Sequence, residues 1–151
     1  MHKYLIDEIE FQISEIDRLF SEYKLFFENM NYESPDIVQI TVIANILHSF
    51  YNGVEKIFER ILKDIDNYIP TGNKTHQEIL NHIYKENENR PNIINNDTYI
   101  SLNEYLGFRH FFRHSYSFQF KWEKMKPLND NLFKTWHELK EQLNKYLQYL
   151  K

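Results

Sequence analysis

The sequence predicts an all-α fold, an antiparallel bundle of four or five helices in which residues 1–151 form one domain. Three observations lead there. Apolar residues recur three and four positions apart over most of the chain, the spacing that lines one side of a helix. Only three glycines and four prolines interrupt the 151 residues, and no stretch alternates apolar and polar positions as a strand does. An apolar fraction of 42%, with 17% aromatic residues, supplies one core without help from disulfides or metal.

In chain order, Leu5, Ile9, Ile13, Ile16, Leu19, Phe20, Tyr23, Phe26, Phe27 and Met30 predict a first helix over 4–30. Ser34 and Pro35 read as an N-cap followed by proline at the first helical position. They open a second helix, whose stripe of Ile43, Leu47, Phe50, Val54, Ile57, Phe58, Ile61, Leu62 and Ile65 lasts until Pro70 and Gly72 stop it. Such a helix would be about 50 Å long, and a kink is expected near Gly53. Thr75 is placed to cap a short helix carrying Ile79, Leu80 and Ile83. Residues 87–97 make an Asn-rich loop around Arg90-Pro91, expected to be the most mobile segment. Ser101 and Glu104 have capping-box spacing for a helix running through Tyr116, and apolar positions from Leu128 to Leu150 mark the last helix.

Composition narrows the function classes. With no cysteine, disulfide frameworks, thiolate nucleophiles and Cys-ligated zinc are excluded, and a reducing, cytoplasmic setting is expected. Met1-His2-Lys3-Tyr4 runs straight into a charged amphipathic pattern, and no stretch approaches the roughly 20 apolar residues of a membrane span, so no membrane association is expected. A net charge of −4 argues against a chain-wide electrostatic grip on nucleic acid. Any such contact must be local.

One segment supplies it. Phe108-Arg109-His110-Phe111-Phe112-Arg113-His114-Ser115-Tyr116 holds four of the chain's twelve Arg and His residues within six positions. At about 100° per residue, Arg109, His110, Arg113, His114, Tyr116 and Ser117 share one arc of a helix, while Phe108, Phe111 and Phe112 lie opposite as its anchor. A cationic face of this kind suits a phosphodiester, because Arg binds its oxygens bidentately and His moves protons near neutral pH. Ribonucleolysis is the natural reaction, since RNA carries its own nucleophile in the 2′-hydroxyl and needs no cofactor. Arg109 and His114 are the catalytic pair this chemistry asks for, with His110 and Arg113 supporting RNA binding. Five positions separate the pair, about 140° around a helix and about 7.5 Å along it. One helix aims them poorly, so a twofold homodimer that lines one cleft from two copies is expected.

Arg109, four residues, His114, one residue and Tyr116 resemble the Arg-x4-His-x-Tyr signature of the HepT-like toxins of the HEPN ribonuclease superfamily. Chance places the full pattern in a chain of this composition only about 0.02 times. Weaker likenesses extend to Tyr51 and Glu55 on the second helix, the Pro70-Thr71-Gly72 turn, His76 and Arg90-Pro91. The resemblance implies an all-helical, HEPN-like homodimer with its metal-independent endoribonuclease site at the dimer interface. It also implies a toxin–antitoxin pair, in which a minimal nucleotidyltransferase antitoxin adds adenylate to the motif tyrosine, here Tyr116.

Blander readings stand beside these. His110 and His114 are spaced as two metal ligands, yet no carboxylate in the run completes a site. Arg109 and Arg113 are equally placed to pair with glutamates elsewhere in the bundle. Glu55 reads as a surface glutamate beside Lys56 and Arg60, Tyr51 as core, and His48 and His76 as structural. The lysines Lys121, Lys124 and Lys126 either extend an RNA track or form a solvated face. Two rival functions keep the fold: a catalytically silent dimer that binds a nucleotidyltransferase, and a bundle that binds a nucleotide or small phosphate ligand without cutting it.

Overall fold

A computed structural model describes residues 2–151 as α1 (Lys3–Glu22), α2 (Lys24–Asn29), α3 (Ile37–Ile65), α4 (Thr75–Tyr84), α5 (Asn96–His114), a 3-10 turn (Ser117–Gln119), α6 (Trp122–Asp130) and α7 (Leu132–Leu150). The chain is all-helical; the described residues contain no strand, only an isolated bridge between Asn87 and Arg90. α3 is the element that α1, α4, α5 and α6 all pack against, and α7 closes over α1, α5 and α6.

The predicted stripe of α3 is what those helices cover. Ile43, Leu47, Phe50, Val54, Ile57, Phe58, Ile61 and Leu62 are each at most 1% exposed, and burying a side chain of this size stabilises the fold by roughly 1.5–3 kcal/mol. By length and composition alone α3 is apolar enough to cross a membrane, with a mean hydropathy of 1.2 over its best window. The apolar residues from Ile43 to Leu62 are sealed against the neighbouring helices, while Ile37 and Val38 at its start are exposed.

The ends of α3 differ from the sequence expectation. Its N-cap is Asp36 rather than Ser34: Asp36 Oδ1 accepts from the Gln39 N–H at 2.8 Å, and Gln39 Oε1 accepts from the Asp36 N–H at 3.2 Å. This reciprocal box satisfies two backbone donors where a lone serine cap satisfies one. The helix stops at Ile65, before Pro70, because Asn67 turns left-handed with φ 51° and the Tyr68 N–H returns to the Leu62 carbonyl at 3.0 Å. Its 29 residues thus span about 43 Å. Nor does Gly53 interrupt it. A Cβ there would lie 2.9 Å from Ile16 Cγ1, so the glycine lets α1 approach closely.

Other boundaries also move. The first helix breaks at Tyr23 into α1 and α2, and the last divides at Asn131 into α6 and α7. α4 carries the buried Ile79, Leu80 and Ile83 as predicted, but Thr75 is its first residue and caps nothing. α5 begins earlier than the Ser101–Glu104 pair suggests, with Asn95 Oδ1 accepting from the Thr98 N–H at 2.9 Å. The Asn-rich loop expected to be mobile is pinned through Arg90. All five N–H groups of that guanidinium are engaged: Nε and Nη2 donate to the two Asp66 oxygens at 3.0 and 2.8 Å, and the remaining bonds reach the carbonyls of His82, Lys85 and Pro91. One side chain therefore ties the end of α3, the end of α4 and the approach to α5.

Candidate active site

Two helices build the site. α3 carries His48, Tyr51, Asn52, Glu55 and Glu59 at positions i, i+3, i+4, i+7 and i+11, a polar and aromatic row on one side of an otherwise apolar helix. α5 brings Arg109, whose Nε donates to Asn52 Oδ1 at 3.3 Å. The Asn52 amide lies 3.4 Å from His48 Nδ1. His48 in turn stacks on Phe112 with centroids 4.3 Å apart, and Phe112 stacks on Phe120 at 5.5 Å. Phe112 is thus held between α3 and the segment after α5. Burial, and then the charges of Arg109 and Arg113, push the His48 imidazole below its ordinary range, so it stays neutral at pH 7.

Glu55 departs from its expected place on the surface. It is buried, and its Oε1 lies 2.6 Å from His76 Nδ1 on α4 while its Oε2 has no partner. Lys56 is exposed and Arg60 reaches Glu8 instead. A buried carboxylate holding an imidazole by one nitrogen fixes the ring and leaves the other nitrogen available. Tyr51 is core, as read, but its hydroxyl is unpartnered, and burial followed by the charge of Glu55 drives its pKa far up, with Arg109 opposing. Glu59 is also raised, by burial and by Glu55, with His76 and Arg109 pulling the other way. His48 Nε2, Tyr51 Oη and Glu55 Oε2 are three unsatisfied buried atoms on successive turns of one helix.

The motif residues divide between two places. Arg109 is half-buried and turned toward Asn52, whereas His110, Arg113 and His114 are exposed, with the two imidazole centroids 4.5 Å apart. Among the described residues no hydrogen bond joins Arg109 to His114. The phenylalanine anchor is Phe108 and Phe112; Phe111 is 44% exposed. The largest correction concerns Tyr116 and Ser117, expected on the helical arc with Arg109. α5 ends at His114, Ser115 is extended, and Tyr116 opens the 3-10 turn, its N–H donating to Gln119 Oε1 at 2.8 Å.

Charge pairing separates the arginines. Arg18, Arg60 and Arg90 pair with Glu22, Glu8 and Asp66. Arg109 and Arg113 have no carboxylate partner among the described residues, so the reading of them as ion-pair partners within this chain does not hold. Two guanidinium groups without a carboxylate partner, Arg109 bonded only to Asn52, and two exposed imidazoles on the same helix are groups whose chemistry can bind a phosphate and transfer a proton.

The family model described as HepT-like protein matches residues 42–150. That span takes in every site residue named above and leaves out α1 and α2. No curated protein and no solved structure matches the chain.

Proposed function

We propose, since this chain belongs to the HepT-like family of the HEPN superfamily, that it is a metal-independent endoribonuclease toxin whose catalytic groups are Arg109 and His114. The observation that carries this reading is the contrast in pairing: three arginines have a carboxylate within ion-pair distance, and the two beside His110 and His114 have none. In the reaction the RNA 2′-oxygen attacks the adjacent phosphorus and loses its proton, while the bond from phosphorus to the 5′-oxygen breaks and that oxygen gains one. His114 serves one of these proton transfers, and Arg109 stabilises the charge that builds on the phosphate oxygens. His110 and Arg113 hold the flanking backbone. Because Arg109 is turned toward α3 and His114 ends α5, the site is completed by a second copy of the chain, each cleft taking its groups from both.

Cleavage is therefore expected to persist in EDTA and to leave a 2′,3′-cyclic phosphate and a 5′-hydroxyl. End-group analysis of a short RNA checks this. Cutting of a substrate that is 2′-deoxy at the cleavage position, or a strict need for a divalent ion, is the result that sinks it.

In the same proposal the protein works in the cytoplasm, beside a nucleotidyltransferase antitoxin that adenylylates Tyr116. The turn after α5 leaves Tyr116 73% exposed, which suits access by a modifying enzyme better than a place on the packed helix would. An adenylate there sets a negative phosphate near Arg113 and competes with RNA for its cation. Co-expression with a neighbouring nucleotidyltransferase should add adenylate masses that peptide mapping assigns to Tyr116 and that Tyr116→Phe removes. A neutralised complex with unmodified Tyr116 means inhibition by binding alone.

A further inference from the structure

We infer that Tyr116 and Phe118 form a stacking platform for the bases of single-stranded RNA, fed by the cations on either side of the turn that carries them. The inference rests on the ribonuclease reading and adds to it the substrate class and the residues that hold it.

The pair is conspicuous because it is left in water. Tyr116 is 73% and Phe118 70% exposed, yet their rings lie within 5° of parallel with centroids 5.5 Å apart. Neither ring joins the core, so burial does not account for their alignment. The backbone beneath them is fixed: the Gln119 N–H bonds to the Tyr116 carbonyl at 2.9 Å, the Phe120 N–H to the Ser117 carbonyl at 3.2 Å, and the Gln119 side chain holds the Tyr116 N–H. Phe120, buried and stacked on Phe112, anchors the end of the turn. A pair of stacked rings on a preformed turn can extend its stack to a base without first losing its own freedom.

Charge decides between occupants. From Arg109 to Lys126 there are five cationic side chains, Arg109, Arg113, Lys121, Lys124 and Lys126, against a single acid, Glu123, in a chain whose net charge is −4. Arg113, Lys121 and Lys124 form no ion pair among the described residues. A purely apolar partner, or a second copy docking through aromatic rings alone, gives these charges nothing to meet. A polyanion with π-faced bases matches both halves of the surface. Beside the turn, a hollow of about 660 Å³ is walled by Phe108, Phe111, Met125 and Leu128, with Gln119, Lys121 and Lys124 at its polar edge and one carboxylate, Glu104, on its rim. That is ample for a splayed base whose edge needs hydrogen-bonding groups. Duplex RNA keeps its base faces inside the stack, so the surface selects unpaired segments.

The test uses the full-length protein and a fluorescein-labelled 2′-fluoro RNA of about twelve nucleotides, which cannot be cut through a 2′-hydroxyl. By anisotropy, Phe118→Ala should weaken binding about five- to hundredfold, the usual effect of removing one stacking partner. Phe118→Trp should retain it, and a hairpin duplex of the same length should bind less tightly than the single strand. Sedimentation should be unchanged in both variants. Unaltered affinity in Phe118→Ala, no binding by the parent protein, or a changed oligomeric state in Phe118→Ala overturns the platform; the last outcome reassigns the pair to a contact between copies. The two proposals are read separately, since cutting of natural RNA tests the catalytic one and anisotropy of the uncut probe tests the platform; Phe118→Ala should lower probe affinity by the same factor in the parent and in a His114→Ala background. Probe binding that depends on Phe118 in a protein that cuts no RNA refutes cleavage and leaves the platform standing.

Discussion

Arg109→Ala and His114→Ala are each expected to lower RNA cleavage by about 10²–10⁴-fold, the range for losing a charge-stabilising donor or a proton-transfer group, and to abolish growth inhibition. Neither should unfold the protein. Arg109 makes one long hydrogen bond, to Asn52, and His114 is an exposed residue in the last turn of α5, so neither side chain holds the core together. Helical circular dichroism should therefore match the parent. Mixing the two inactive proteins supplies a second reading: if each cleft draws Arg109 from one copy and His114 from the other, the mixed dimer contains one intact cleft and regains part of the activity. Full toxicity in either single variant sinks the catalytic assignment and favours the silent binding subunit. Absence of recovery on mixing, with both single variants inactive, refutes only the sharing of the site.

The largest effect on stability is expected at Arg90. Its guanidinium is fully buried, as nearly is the Asp66 carboxylate it grips. Arg90→Ala leaves that carboxylate without its charge partner and deprives the carbonyls of His82, Lys85 and Pro91 of their donor, so a loss of about 3–5 kcal/mol is expected. Against a total stability of about 5–15 kcal/mol for a domain, this is enough to populate unfolded chains. Urea unfolding checks it through the transition midpoint at unchanged slope. The double variant Arg90→Met with Asp66→Leu should recover much of the loss, because no buried charge then remains unpaired. A cost below about 1 kcal/mol in Arg90→Ala shows that the loop is held by something else.

What the sequence showed, and what it hid, follows from how far apart the interacting residues are. The stripe of α3 was legible because burial on one side of a helix is written in spacings of three and four, and the same reasoning found Ile79, Leu80 and Ile83 on α4. Caps were less legible: Ser34-Pro35 and Asp36–Gln39 are rival local signals two residues apart, and the second prevails because both of its bonds form. The break at Tyr23 leaves no trace in a periodicity that continues on either side of it. Glu55 and Arg90 were misplaced for one reason. Charged residues read as exposed unless the partner is known, and theirs, His76 and Asp66, lie 21 and 24 positions away. The motif from Arg109 to His114 was visible as a helical face, but extending the wheel to Tyr116 assumed a helix that Ser115 ends. The row from His48 to Glu59 was on the page as a polar stripe in an apolar helix, and its spacing was the missed sign that α3 contributes a surface of its own.

The cations that follow Arg109 along the chain also bear on kinetics. The segment from Arg109 to Lys126 carries five positive charges and one negative, +4, within a chain of −4, which leaves −8 for the remainder. With that division of charge, a polyanion would be repelled over most approaches and attracted at the basic segment, so the proposed ribonuclease would act as an electric dipole that turns this segment to an incoming strand. Capture then depends on ionic strength over separations near the Debye length of about 8 Å at physiological salt. For the ribonuclease proposed above, encounters on the wrong side would dissociate without lingering, and bulk RNA would not coat the protein as it coats a uniformly basic one. An acidic body with a basic mouth would discriminate by orientation before any base is read.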